Sequence, residues 1–219
     1  MSGRPPRRHA SYTGRVSLQW ESTYQSKADS ERSWTQKVPR ESLQLIDQLA
    51  LKLDDPIIDI GAGSSALVDS LISRLHTDIT VLDISSTAIA ESRARIETTY
   101  GKNTAVHWII ADIAIFSPDR SYALWHDRAV FHFLIDRSDQ QRYVQCATRA
   151  VRPGGSLIIA TFSPEGPEMC SGFPVHRWSA GELGGLFAPD FGVIESFERD
   201  HQTPWGSMQP FTWVLMRRN

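Results

Sequence analysis

From Pro56 onward, short apolar runs alternate with stretches in which apolar residues recur every three or four positions. The first run is PIIDI at 56–60, and the helical pattern of Leu67–Leu75 follows it. Such alternation is typical of βαβ units and a parallel sheet. Further strands are predicted at DITVLD (78–83), AVHWII (105–110), YALWH (122–126) and SLIIATF (156–162). After a loop rich in Pro and Gly, VIESFER (193–199) and FTWVLMRR (211–218) predict two closing strands.

With 219 residues, 41% of them hydrophobic, the chain can bury the core of one globular domain. We predict a single domain over 16–219, preceded by a flexible basic tail over 1–15. Residues 16–50 are expected to form an N-terminal lid and an amphipathic helix. Ser138 with Gln141 has the spacing of a capping box and predicts a helix start, as Ser179 does further along the chain.

Charge and cysteine content narrow the partners and the compartment. The net charge is −2 and the isoelectric point is near 6.4, so we expect no nucleic-acid partner. Apolar runs such as LIIATF at 157–162 fall short of the roughly 20 residues that span a bilayer, so no membrane segment is predicted. Cys146 and Cys170 make neither a disulfide framework nor a zinc cluster. We therefore expect a cytoplasmic protein without a metal site.

The first twenty residues leave one alternative open. They contain arginines but no acidic residue, a composition that also occurs in organellar transit peptides: Arg4, Arg7, Arg8 and Arg15. Pro5 and Pro6 disfavour the amphipathic helix that such a peptide needs. A basic tail is the simpler interpretation.

Acidic residues and glycines gather where the predicted strands end. In open α/β sheets, ligands bind beyond the carboxyl ends of the strands. Six residues stand at or just past such ends: Asp59, Gly61, Gly63, Asp83, Asp112 and Asp127. The two glycines allow a tight turn and a close approach to a ligand. Asp83, twenty residues beyond Gly63, is placed to accept hydrogen bonds from ribose hydroxyls.

Two nucleoside cofactors compete for this edge. Gly61, Gly63 and Ala66 satisfy the permissive GxGxxG/A pattern of NAD-binding proteins. However, Asp59 stands immediately before the loop, where its carboxylate would repel a pyrophosphate and attract the ammonium and sulfonium of S-adenosylmethionine. Charge therefore favours S-adenosylmethionine, although any one of these aspartates could instead be a helix cap or a solvated turn residue.

The segments IIDIGAGSS, ITVLDIS, WIIADI, HDRAVFHFL and RAVRPGGSLII resemble, in this order, the class I S-adenosylmethionine-dependent methyltransferases. The resemblance covers about residues 20–217. It implies an α/β, Rossmann-like fold with helices on both faces of a seven-stranded sheet of order 3-2-1-4-5-7-6, whose last strand is antiparallel. Trp20, Tyr24, Ser33 and Trp34 resemble a subgroup whose opening segment folds over the cofactor.

The same resemblance assigns cofactor-binding roles. Asp59, Gly61 and Gly63 would contact the methionine part, Asp83 the ribose, and Asp112 with Ile113 the adenine. Ala62 and Ile84, their neighbours in the chain, complete the predicted set.

Polar residues after the fourth and fifth strands and near the closing strands are the candidates for acceptor chemistry. We predict that Asp127 and His126 are catalytic, accepting a proton from the acceptor or holding its amino group. Arg128 would bind an anionic acceptor. The alternative is structural, with Asp127 either paired with Arg128 or in a capping interaction. Trp34, Cys170 and His201 are predicted substrate contacts, each with packing as the alternative.

The sequence thus predicts an S-adenosylmethionine-dependent methyltransferase acting on a small molecule. Two alternatives remain open: a protein-lysine methyltransferase, and a non-catalytic S-adenosylmethionine-binding module. WHDR at 125–128 replaces the NPPY-type motif of methyltransferases acting on amino groups of nucleic acids or glutamine, which disfavours those substrates. The acceptor atom, whether O, N or S, and the oligomeric state stay open.

Overall fold

The structure is a computed structural model that describes the backbone of residues 7–102 and 104–219. Its elements in chain order are α1 (Arg7–Ser26), α2 (Arg40–Asp47), β1 (Ile57–Ile60), α3 (Leu67–Ser73), β2 (Ile79–Asp83), α4 (Ser86–Tyr100), β3 (Val106–Ile110), β4 (Tyr122–Arg128), α5 (Arg137–Ala150), β5 (Val151–Phe162), β6 (Met169–Cys170), β7 (Phe173–Pro174), α6 (Ala180–Phe187), β8 (Phe191–Gln202) and β9 (Met208–Arg218). Short 3-10 turns lie at Asp29–Glu31 and Phe131–Phe133.

Seven strands form one sheet in the order β3-β2-β1-β4-β5-β9-β8. The first five strands are parallel, and β9 runs antiparallel to both β5 and β8. The hairpin β6-β7 is separate, so β8 and β9 are the sixth and seventh strands of the large sheet. The predicted Rossmann-like fold and its strand order are therefore confirmed.

The central strands are apolar because both of their faces are covered. Ile57 and Ile58 are adjacent in β1 and both are fully buried, but they belong to different hydrophobic clusters. Successive strand residues point to opposite faces, so a strand with a helical layer on each side is apolar throughout. Helices α2, α3 and α4 supply one cluster, and α5 and α6 supply the other. Among the helices of the described residues, none combines the length and the hydropathy needed to cross a bilayer.

Two predicted helix starts had different outcomes. Ser179 caps α6 as predicted, since its Oγ accepts the Glu182 N–H at 3.3 Å and its own N–H donates to Glu182 at 2.9 Å. The predicted capping box at Ser138 is wrong. Helix α5 begins at Arg137, one residue before Ser138, and Asp136 takes the cap position with extended backbone angles.

The N-terminal segment is more regular than the sequence predicts. Helix α1 begins at Arg7, so residues 7–15 are helical although they were expected to belong to a flexible tail. Residues 1–6 of that tail lie outside the described residues. The division into a tail and a domain from residue 16 stays a prediction.

Glu21 fastens α1 to the first turn of α4. Its carboxylate accepts hydrogen bonds from the Ser85 hydroxyl at 2.8 Å, the Ser86 hydroxyl at 3.1 Å and the Thr87 N–H at 3.2 Å. The Thr87 hydroxyl also donates to it, and together these bonds lower the pKa of Glu21 to about 2. A carboxylate at this position also complements the positive end of the helix dipole.

Arg32 makes the second connection between the N-terminal segment and α4. Its guanidinium donates to both carboxylate oxygens of Glu91, at 2.9 and 3.2 Å, and to the Tyr24 carbonyl at 2.9 Å. It also donates to Ser64 at 3.2 Å and to Asp29 at 2.9 Å. The side chain of Arg32 is only 3% exposed, so these groups compensate a buried cation through its two terminal nitrogens, while Nε has no partner among the described residues.

We predict that Arg32→Met lowers the free energy of unfolding by about 2–3 kcal/mol, because it strips a buried hydrogen-bond network of its donor. Urea denaturation measures the loss. Arg93→Met is the matched control, since Arg93 pairs with Glu97 on an exposed face of α4 and should cost less than about 0.5 kcal/mol. Equal losses in the two variants would contradict the structural role of Arg32.

Candidate functional site

A large cavity lies where β1, β2 and β3 end, beneath α1. Its empty space, including its opening to solvent, measures about 1160 Å³. Its walls combine strand-end residues with aromatic side chains: Gly61, Asp83, Ile84, Asp112, Ile113, Trp20, Tyr24, Trp34, Phe133 and Phe173. Five of the predicted cofactor-binding residues therefore face one space.

Asp83 is the most enclosed acid in this wall. One carboxylate oxygen accepts the Gly63 N–H at 2.8 Å, and the other accepts the Ser85 N–H at 2.8 Å. Burial nevertheless raises the pKa of Asp83 to about 6. Because a carboxylate can accept about four hydrogen bonds, two positions remain for ribose hydroxyls.

The glycine loop is held in a conformation that requires glycine twice. Gly61 has φ +58°, and a Cβ there would lie 2.1 Å from Val130 Cγ2. Gly63 has φ +53°, and a Cβ there would lie 2.0 Å from the Tyr24 hydroxyl. The loop thus packs directly against the segment after β4 on one side and against α1 on the other.

Asp112 and Ile113 follow β3 at the far end of the same cavity. The Asp112 carboxylate accepts the Ala114 N–H at 2.9 Å, and burial raises the pKa of Asp112. Ile113 is buried and faces the cavity together with Ile84, which follows β2. An acid that shares a cavity wall with branched apolar side chains suits a flat ring with a hydrogen-bond donor at its edge.

A smaller cavity adjoins the first on the other side of the glycine loop. Asp59, Ala62, His126, Arg128 and Trp34 contribute to its wall. Gly61, Trp34 and Arg128 line both spaces, so the two cavities share a boundary.

His126 orients Asp59 in this smaller cavity. Nδ1 of the imidazole lies 2.7 Å from Asp59 Oδ1, and Nε2 lies 2.9 Å from the Ser42 hydroxyl. Because an ionised carboxylate can only accept, Nδ1 donates to Asp59 Oδ1. The other oxygen of Asp59, Oδ2, is buried and has no hydrogen-bond partner among the described residues.

This geometry does not support the predicted catalytic role of His126. Both ring nitrogens are engaged, the side chain is 3% exposed, and His126 does not line the large cavity. The imidazole is therefore placed to orient Asp59, and it is not placed to take a proton from an acceptor in the large cavity.

The geometry of Asp127 agrees with the structural alternative, a capping interaction, and does not support the predicted catalytic role. Asp127 is completely buried, lines neither cavity and accepts the N–H groups of Val130 at 3.0 Å and Phe131 at 3.3 Å. Its second oxygen accepts the Tyr143 hydroxyl, and burial raises the pKa of Asp127 to about 6. Consecutive residues of β4 point to opposite faces, so Asp127 turns toward α5 while His126 turns toward α2.

The four predicted substrate contacts separate into three that face the large cavity and one that does not. Arg128, Trp34 and Cys170 line it. His201 lines neither cavity, and its Nε2 lies 2.6 Å from the Ser33 carbonyl, so the structure does not bring it to the predicted substrate space. The imidazole instead ties the end of β8 to the N-terminal segment.

Arg128 does not form the alternative pair with Asp127. It donates to the Trp34 carbonyl, and no carboxylate of the described residues lies within ion-pair distance of it. Burial lowers the pKa of Arg128 to about 10. Burial likewise raises the pKa of the Cys170 thiol, which is therefore a poor nucleophile at neutral pH.

Three aromatic residues form a chamber that the sequence prediction did not assign to the substrate. The Trp20 ring centroid lies 5.2 Å from that of Phe133, edge to face, and 5.7 Å from that of Phe173 in a stacked arrangement. It also lies 5.5 Å from the Trp34 ring. The aromatic content of residues 20–34 hinted at this wall, but the positions of Phe133 and Phe173 depend on long-range packing.

We predict that Asp127→Asn folds. As the pH rises from 5 to 7.5, its free energy of unfolding should increase by about 1 kcal/mol relative to that of wild type. The wild-type carboxyl has a raised pKa in the folded state, so its contribution to stability is lost as the pH rises through about 6. The neutral amide can still accept the two N–H groups. Denaturation at both pH values measures the difference.

Asp127→Ala is the companion variant, and it should cost about 2–4 kcal/mol because it strands two buried N–H groups and a hydroxyl. A well-folded Asp127→Asn that binds cofactor normally but has lost methyl transfer would instead restore the catalytic role of the carboxylate.

This chain is similar to known methyltransferases in sequence and in fold. A family model described as a methyltransferase domain matches residues 57–155, a little under half of the chain. Nodulation protein S of Rhizobium tropici is 24% identical over 104 residues, a match that covers 48% of this chain and 42% of that protein. This chain thus matches less than half the length of that curated relative.

Two solved structures share the fold at low sequence identity. N-methyltransferase NodS from Bradyrhizobium japonicum WM9, in complex with S-adenosyl-L-homocysteine, superposes with a TM-score of 0.69 at 17% identity, covering 92% of this chain and 98% of its own. Burkholderia thailandensis 1,6-didemethyltoxoflavin-N1-methyltransferase, with bound 1,6-didemethyltoxoflavin and S-adenosylhomocysteine, gives 0.73 at 15% identity, covering 100% and 93%. The match at residues 57–155 and the strand order described above confirm the resemblance to the class I S-adenosylmethionine-dependent methyltransferases.

Proposed function

We propose that the protein transfers a methyl group from S-adenosylmethionine to a nitrogen atom of a small-molecule acceptor. The observation that carries this proposal is the single cavity that joins the acids at the strand ends to the aromatic chamber. One half has hydrogen-bond acceptors for a nucleoside, and the other half has aromatic surfaces for a second molecule.

The cofactor half fits S-adenosylmethionine better than a dinucleotide. Asp83 and Asp112 have free acceptor capacity where a ribose and an adenine would lie. The unpartnered Oδ2 of Asp59 offers a buried negative charge beside the glycine loop. A pyrophosphate there would be repelled, whereas an ammonium would be attracted. When bound, S-adenosylmethionine supplies a methyl group that its sulfonium already activates.

The chain's own contribution is alignment and the exclusion of water. Trp20, Phe133 and Phe173 present apolar surfaces that can hold a flat acceptor and keep water from it. Among the described residues that line the large cavity there is no histidine. His126, which lines only the smaller cavity, has both nitrogens hydrogen-bonded.

Because no free imidazole of the described residues lines the large cavity, the protonation state of the acceptor atom before the reaction becomes important. An aliphatic amine is protonated at neutral pH and would need a base, whereas a weakly basic nitrogen already carries a free electron pair. The buried cation of Arg128 further disfavours a protonated amine nearby. The two similar structures, both named as N-methyltransferases, also support nitrogen as the acceptor atom.

Calorimetric titration and labelled transfer test the proposal together. We expect S-adenosylhomocysteine to bind at least about tenfold more tightly than NAD, because only the former brings a positive charge to Asp59. Incubation of cell extract with methyl-labelled S-adenosylmethionine should then put label into the small-molecule fraction. Preferred NAD binding would refute the cofactor. Labelled protein bands would indicate a protein-lysine methyltransferase, and cofactor binding without any labelled product would indicate a binding module.

The affinity for S-adenosylhomocysteine should fall as the pH drops below about 6. The pKa of Asp83 is about 6, and only its carboxylate form can accept hydrogen bonds from both ribose hydroxyls while it holds the Gly63 and Ser85 N–H groups. Titrations between pH 5 and pH 8 measure the dependence. Asp83→Asn is the control, which should bind more weakly at pH 8 and lose most of the pH dependence. An unchanged slope in that variant would assign the titration to another group.

A further inference from the structure

Arg128 is the one cation that lines the large cavity, among the residues that the structure describes. Its guanidinium has five N–H donors, but it has a single hydrogen-bond acceptor among those residues, the Trp34 carbonyl. Burial lowers the pKa of Arg128 to about 10, although the charges of Asp59 and Glu41 act in the opposite direction. The cavity wall therefore contains a cation whose charge is only partly compensated.

The acids of the same wall are engaged elsewhere. Those at the ends of β2 and β3 belong to the cofactor half of the cavity. Asp139 is buried but pairs with Arg142, and Asp136 is exposed at the start of α5. Arg128 thus has donors available to a ligand and no acid of this wall as its partner.

The group that holds Arg128 connects it to the aromatic chamber. The ring of Trp34 lies 5.5 Å from that of Trp20, edge to face, and Trp20 stacks on Phe173 with 5.7 Å between the ring centroids. Aromatic side chains bind flat apolar rings, and a guanidinium binds planar anions through parallel hydrogen bonds. A flat ring that carries a negative charge would use both kinds of surface.

We propose that the acceptor binds as a planar anion, with its negative group on the Arg128 guanidinium and its ring against the aromatic side chains. The proposal rests on the proposed function, and it narrows the acceptor from any weakly basic nitrogen compound to an anionic ring. The negative charge can have two sources. It can be an acidic ring N–H that has lost its proton, or a carboxylate attached to the ring.

An acidic ring N–H would explain how the chamber works without a base. A nearby buried cation favours the anionic form of such a group, so that its proton is lost to solvent when the acceptor binds. The nitrogen anion then uses its electron pair for the new C–N bond, while the C–S bond breaks and its electron pair stays on sulfur. The methylated product is neutral and no longer pairs with Arg128, which favours its release.

Matched pairs of planar probes test the proposal by calorimetry on wild-type protein saturated with S-adenosylhomocysteine. 2-Naphthoate and 2-naphthamide differ in the charge of one substituent. 5-Nitrouracil is an anion at pH 7.5 through its acidic ring N–H, whereas uracil is neutral. We expect the anion of at least one pair to bind about tenfold or more tightly than its neutral partner, and the pair that discriminates identifies the source of the charge. Equal affinities within both pairs, or no binding of either anion, would overturn the proposal.

Variants of Arg128 assign the preference to its side chain. Arg128→Met should bind the anion and the neutral probe with affinities within about twofold of each other, and it should bind S-adenosylhomocysteine within about twofold of wild type. Arg128→Lys keeps the charge but loses the parallel hydrogen bonds, so it should retain part of the preference. Arg93→Met on the exposed face of α4 is the matched control and should behave as wild type.

The remaining outcomes separate this proposal from the proposed function. A full preference for the anion in Arg128→Met would place the negative group elsewhere. A large loss of affinity for S-adenosylhomocysteine in a folded Arg128→Met would assign the guanidinium to the cofactor. Either result overturns the proposal and leaves the proposed function intact, whereas a wild type that does not bind S-adenosylhomocysteine refutes both. The probe pairs on wild type still decide the proposal if Arg128→Met does not fold.

Discussion

Three buried carboxyl groups at the ends of adjacent strands impose the main constraint on this structure. Asp59, Asp83 and Asp127 end or nearly end β1, β2 and β4, which are neighbours in the sheet. An ionised carboxyl that is buried without partners costs several kcal/mol, so each of the three has to be compensated locally. The loops, the imidazole and the N-terminal helices around this edge supply the compensation.

The three carboxyl groups are compensated in different ways, and these differences assign a role to each of them. Asp127 takes all of its hydrogen bonds from the fold and faces away from both cavities, which makes it a support for the turn after β4. Asp83 is held by two N–H groups but keeps acceptor positions toward the large cavity. Asp59 has one oxygen held by His126 and the other left open. The edge thus contains one structural acid and two acids that can still bind a ligand.

The sequence predicts which residues gather at this edge of the sheet, but it does not predict their separate roles. Strand ends follow from the alternating pattern, so that pattern alone predicts that Gly61, Asp83 and Asp112 lie together at the carboxyl edge of the sheet. Asp127 carries the same signal as Asp83, because position at a strand end does not say which face a side chain joins. The face depends on one step of β alternation and on partners such as Tyr143, which lies on a helix later in the chain.

Contacts between segments that are far apart in the chain explain the other interactions that the sequence does not predict. Glu21 and Arg32 meet α4 across more than 55 residues of sequence, and no local pattern marks either residue. His126 owes its position to Ser42, which lies 84 residues earlier. Periodicity and capping rules read only neighbouring residues, so they identify elements and leave such ties undetermined.

The same long-range ties connect the two halves of the proposed reaction site. Trp34 lines both cavities, and its backbone holds Arg128 while its ring packs edge to face against Trp20 in the aromatic chamber. Arg32, two residues earlier, anchors this segment to α4. Both cavities therefore depend on the segment around Trp34, and the tie from Arg32 to α4 holds the cofactor half and the acceptor half of the proposed site together.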